Sequence, residues 1–155
     1  KPVQTIVKNT DLVRTMQRLG IGASREHESV EVMPPVCRVL LVALVTADLP
    51  QPMMMPAMYA AYNTYAELVN ASRLTKEEVR GWTSTLVTYM LLSQSDTSAF
   101  GRKRLDPDKV TYKLQCSAIN LLRVKNLEAM HKPHVTRYVD RLRAEDAEAG
   151  KFLNA

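Results

Sequence analysis

Pro34-Pro35-Val36-Cys37-Arg38-Val39-Leu40-Leu41-Val42-Ala43-Leu44-Val45-Thr46-Ala47-Asp48-Leu49-Pro50 is apolar at nearly every position and is closed by proline at both ends. A surface helix carries one apolar stripe, whereas a helix that is apolar all round is enclosed by other elements. A bilayer span needs about 20 apolar residues, and this stretch falls short. The reading that follows is a buried central helix over 35–49, opened by Pro35 in the first turn, where a missing N–H costs nothing. Arg38 is its one charged residue within the apolar run. It is expected to snorkel from the first turn to water. The sharper alternative has it buried and paired with Asp48 or Glu67, or pointing into a ligand groove.

Working outward, several amphipathic helices are available to wrap this one. Thr10 caps a helix over 11–19 that Gly20 stops, with Leu12, Met16 and Leu19 inward. Residues 21–33 read as loop with extended character, because Ser29-Val30-Glu31-Val32-Met33 alternates like a short strand. After Pro50, a helix from Met53 to about Ala71 carries the stripe Met55, Met58, Tyr62, Tyr65 and Val69. The three consecutive methionines Met53, Met54 and Met55 cannot share one helical face, so at least one lies near the surface. Thr75-Lys76-Glu77-Glu78 is a capping box, with Thr75 as cap and Glu78 reaching back. The helix it opens is expected to run to about Ser93, with Val79, Trp82, Leu86, Tyr89 and Met90 on one arc. Gly81 would allow a close helix crossing there.

Asp106-Pro107-Asp108 restarts a helix over 107–130, with Val110, Leu114, Ala118, Leu121 and Leu122 inward. A last helix begins at Pro133 and ends near Gly150, facing Val135, Val139 and Leu142 to the core. The fold expected is therefore all-α: a single-domain bundle of about six helices packed around the central apolar helix over 35–49. Residues 1–9 form an extended N-terminal arm, 10–150 the helical domain, and 151–155 a C-terminal tail. At 155 residues, with 46% hydrophobic and 24% charged content, the chain can bury such a core as one domain. Cys37 and Cys116 fall in stretches read as helix and make no CxxC pair. They read as reduced, buried groups from an intracellular-type compartment.

The net charge of +5 lies entirely in the last third. Residues 102–143 hold eleven Lys/Arg against four Asp/Glu, with His131 and His134 added. Such asymmetry bears on partners and favours a polyanion or an acidic surface. Arg102, Lys103 and Arg104 sit in a loop between helices. Lys109, Lys113 and Arg123 share about a quarter of the next helix's circumference. His134, Arg137, Tyr138 and Arg141 add cations and an aromatic able to stack on a base.

Catalytic and metal chemistry find little support. Three histidines, His27, His131 and His134, have no nucleophile arrangement around them, and there is no GxSxG elbow. A metal site at His131 and His134 has only Glu128 close by in sequence. Gly20-Ile21-Gly22 lacks the strand-turn-helix setting of a nucleotide fold, and Gly101-Arg102-Lys103-Arg104 is not a P-loop. The residues thus point to a non-catalytic assembly protein, a nucleoprotein or capsid-type subunit. It would hold nucleic acid, RNA ahead of DNA, through its basic C-terminal third. Self-association or a larger complex is expected, with no cofactor, no metal and no membrane. The place expected is intracellular or within a virus-like particle, not secreted. The alternative is a protein–protein adaptor or accessory subunit whose basic face meets an acidic partner. An enzyme would need the histidines to converge in one pocket.

Overall fold

The computed structural model describes residues 26–95 and 109–154. The expected arm over 1–9, the helix over 11–19 and the basic loop with Arg102, Lys103 and Arg104 lie outside the described residues. Within them the chain is mostly helical and carries one small sheet. Its elements are α1 (Glu26–Val32), α2 (Pro35–Ala47), β1 (Met53–Met54), α3 (Met55–Leu68), α4 (Lys76–Thr88), β2 (Leu92–Gln94), β3 (Thr111–Leu114), α5 (Ala118–Leu122) and α6 (Lys132–Asn154). No helix among the described residues is long and apolar enough to cross a membrane.

The stretch around Leu41 forms α2, and Cys37 through Val45 are all buried. Helices α3, α4, α5 and α6 all pack against it. Pro35 occupies the first turn, and Asp48 closes the helix in a left-handed conformation at φ 53°, which a short polar side chain tolerates better than most. The stripe on α3 is buried at Met55, Met58, Tyr62 and Tyr65, while Val69 is half-buried beyond the helix end. Met53 and Met55 are buried and Met54 is exposed, as the one-face limit requires. The capping box opens α4 with both of its hydrogen bonds made.

Five expectations change, one of them at the end of the chain, where the helix expected to stop near Gly150 continues to Asn154, into the segment read as a tail over 151–155. Residues 26–32 are helical, because Val30 and Met33 are buried three residues apart while Val32 stands in solvent. Helix α4 ends at Thr88 rather than Ser93. Met90 takes a left-handed φ of 63°, and the chain then turns into β2. Gly81 mediates no close crossing, since a Cβ there would meet nothing within 4 Å. The largest change concerns the helix expected over 107–130, in whose described part stand β3, an irregular stretch holding Cys116, and the short α5.

Strand β3 lies between β1 and β2 and is antiparallel to both, with Met53 opposite Tyr112 and Ser93 opposite Lys113. The sheet makes the domain mostly helical rather than all-α. The reason is an ambiguity of spacing. A step of four residues, as from Val110 to Leu114, repeats a helical face and is also two strand periods. The β-branched Val110 and Thr111 and the aromatic Tyr112 tip the balance toward a strand. Val110 and Tyr112 are buried and Lys113 is exposed, which is strand alternation.

Candidate functional site

Four of the sequence-derived site residues come together on α6. His134, Arg137, Tyr138 and Arg141 recur at steps of three and four, which a helix stacks along one side. With Thr46 from α2 and Tyr65 and Leu68 from α3 they line a shallow, open groove. Its floor is largely aromatic and aliphatic, its rim is cationic, and Leu68 is 66% exposed. Arg137 is exposed and makes no ion pair with any described residue.

Arg141 is more constrained. Its guanidinium lies 3.5 Å from Asp48 and 3.8 Å from Glu145, and its central carbon sits 5.0 Å above the Tyr138 ring. Tyr138 is buried, and its hydroxyl donates to Asp48 Oδ1 at 2.9 Å. With one face under Arg141 and its edge tied to Asp48, this ring does not offer the stacking surface expected of it.

Lys109, Lys113 and Arg123 do not form a continuous stripe, because the segment expected to align them as one helix is a strand, an irregular stretch and a short helix. Lys109 precedes β3 and is exposed, and Lys113 projects outward from β3. Arg123 is the C-cap of α5 and donates to Asn120 Oδ1 at 3.3 Å. Asn120, which accepts this bond, is buried.

Beneath the groove lies a polar cluster that sequence reasoning did not assemble. Arg38 is buried rather than snorkelling. Its Nε donates to both Glu128 oxygens at 3.0 and 3.1 Å, and its Nη2 donates to Oε1 at 2.6 Å. Nη1 donates to the Met33 carbonyl at 2.7 Å. The pairing with a carboxylate weighed for Arg38 exists, but the partner is Glu128, ninety residues away. Glu128 Oε2 in turn lies 3.5 Å from Nε2 of the fully buried His131. That separation is an electrostatic contact rather than a hydrogen bond, and Nε2 has no hydrogen-bond partner. The other ring nitrogen, Nδ1, is 2.6 Å from the Tyr65 hydroxyl.

The charges decide the proton positions in this cluster. Burial pushes the Tyr65 hydroxyl well above its ordinary value, with Glu128 adding to the effect, so it stays protonated and can donate to Nδ1. A neutral imidazole then carries its proton on Nε2, facing the Glu128 carboxylate. Burial lowers the His131 pKa. Glu128 opposes that shift, while Arg38 and His134 reinforce it. Burial alone would raise Glu128, but the Arg38 hydrogen bond, a backbone hydrogen bond, and the charges of Arg38 and His131 together hold it below its ordinary value.

Tyr65 links the two regions. It lines the groove, bonds to His131 and meets the His134 ring edge-on with centroids 5.4 Å apart. The sequence signals for this cluster were the lone cation in α2 and the Glu128/His131 spacing.

Among the described residues no group of three or more His, Cys, Asp or Glu side chains could hold a metal ion. Cys37 and Cys116 are free and buried, and burial pushes the Cys37 thiol up to about 11 despite the neighbouring Arg38 charge. No protein-family model, curated protein or solved structure matches the chain.

Proposed function

We propose that the chain is a non-catalytic helical assembly protein, a nucleoprotein or capsid-type subunit, that holds RNA against the groove-side face of α6. In this reading α2 is the scaffold around which the other helices wrap, and the protein works inside a cell or a virus-like particle. The observation that carries it is the placement of cations on α6. Lys132 and His134 stand in its first turn and Arg137 follows, with no acidic residue in that turn. A helix N-terminus is the positive end of the macrodipole, where cations are disfavoured by about 0.3–1 kcal/mol each. That penalty is confined to the first turn and so falls on Lys132, while Arg137 and Arg141 lie beyond it, and a bound polyanion would meet all three cations. His134, Arg137 and Arg141 rise along one side of the helix over about 10 Å, at 1.5 Å per residue.

A second reading rests on the groove floor. Tyr65 and Leu68 make it apolar between the cations, which also suits an acidic amphipathic segment of a partner protein. Binding of a labelled single-stranded RNA across a salt series separates the two. Affinity should fall steeply with salt, and Arg137→Ala should reduce the logarithmic slope by about 0.7, the contribution of one phosphate on a single strand. Absence of RNA binding at low salt would overturn the first reading. Capture of an acidic helical peptide under the same conditions would support the second.

A further inference from the structure

The outer face of α6 changes sign along its length. At 100° per residue, His134, Arg137, Arg141, Ala144, Glu145 and Glu148 fall within an arc of about 100°. From Arg137 to Glu148 every one of them is exposed, and His134 is half-buried. The core-facing positions end at Leu142, and no described side chain beyond it is buried. The first part of the face is thus cationic and the second part anionic. Arg141 is already held by Asp48 and Glu145. Arg137 and Glu148 make no ion pair with any described side chain, so among the described residues each end of the face presents one further charge, of opposite sign.

From this we infer that the outer face of α6 is a self-pairing surface whose occupant is α6 of a second copy of this chain, lying antiparallel across it. A two-fold axis near residues 142–143 sets Arg137 of each copy opposite Glu148 of the other, and Arg141 opposite Ala144. The arrangement is isologous and closes at two copies. The small Ala144 beside the axis leaves room for the Arg141 stem. Leu68, 66% exposed on the adjoining helix α3, supplies apolar contact along one side. An acidic segment from another protein would match only the cationic end, and an RNA seated there would likewise leave the anionic end unmatched. A second copy complements both ends together. The antiparallel arrangement also sets the helix dipoles in opposition.

The inference does not depend on RNA binding and is tested separately from it. Sedimentation of the full chain over a concentration range should give a reversible dimer that weakens as salt rises. Arg137→Glu alone and Glu148→Arg alone should each weaken the dimer roughly tenfold or more, since each sets like charges opposite one another twice per dimer. Mixing the two single variants in equal amounts should restore it as a heterodimer, and so should the double variant R137E/E148R. Circular dichroism checks that each exposed substitution leaves the fold intact. Glu148→Arg should leave RNA affinity unchanged or raised, which separates loss of pairing from loss of nucleic-acid binding. A wild-type chain that stays monomeric at high concentration and low salt would overturn the inference. So would single variants that dimerise as well as wild type, or a mixture that does not recover.

Discussion

Arg38→Met removes the charge from α2 while keeping an aliphatic stem of similar reach. The substitution deletes three hydrogen bonds to Glu128 and one to the Met33 carbonyl. It leaves a carboxylate against the buried His131 without its counter-ion, and leaves that carbonyl without the donor. Breaking a buried pair by removing one partner costs about 3–5 kcal/mol. The Arg38 side chain is 9% exposed but Glu128 is 29% exposed, so Glu128 recovers part of its hydration and the lower end, about 3 kcal/mol, applies. For a domain of this size about 2–4 °C is lost per kcal/mol, which gives a melting point lower by roughly 6–12 °C.

The loss depends on pH with a definite sign. Arg38 holds the Glu128 carboxyl below its ordinary value of 4.5, so the stabilisation is present above that value and is lost as pH falls through the folded one. The gap between wild type and Arg38→Met should be full at pH 7 and should narrow below about pH 4.5. Urea unfolding at pH 7 and pH 4, with Glu128→Gln completing a double-mutant cycle, measures both effects. A destabilisation under about 1 kcal/mol at pH 7, or a coupling near zero, would refute the buried-pair account.

Two further outcomes follow from neighbouring features. His131→Phe leaves the Tyr65 hydroxyl without its acceptor, costing about 1–3 kcal/mol in urea unfolding at pH 8. Because the folded His131 pKa lies below its ordinary 6.5, wild-type stability should be full above 6.5 and decline as pH drops beneath it. That slope should flatten in the variant, and an unchanged slope would mean that His131 does not titrate in this way. Met90 is 79% exposed and sits at φ 63°, so Met90→Gly should relieve backbone strain without losing packing. A rise in stability of about 0.5–1 kcal/mol by thermal melting is expected, and a loss would show that the methionine side chain contributes more than its conformation costs.

Features set by neighbours in sequence were legible without coordinates. Pro35, the apolar run from Val39 to Val45, the Thr75–Glu78 box and the stripe from Met55 to Tyr65 each act within a few helical turns. Their chemistry is complete in the local sequence, and the structure contains all of them. The cationic side of α6 was legible for the same reason, since His134, Arg137 and Arg141 need only a helix to stand together.

Within the helix expected over 107–130, Thr111–Leu114 is a strand instead, because helix and strand share the four-residue step and only pairing with β1 and β2 resolves it. Lys113 and Arg123 separate as a consequence, and the basic stripe goes with the helix that was to carry it. From sequence Tyr138 reads as free to stack, because nothing near it in the chain foretells Asp48, ninety residues earlier, holding its hydroxyl.

Sequence alone determined that this chain would bury a helix around Leu41 and gather its excess cations toward the C-terminus. Tertiary structure alone decided what surrounds Arg38 and that Tyr138, on the cationic side of α6, is covered and tied to Asp48. An ion pair such as Arg38–Glu128 depends on a distance of a few ångströms between residues far apart in the chain. No local periodicity encodes that distance, and only the packing of α2 against the segments around it brings the two charges together.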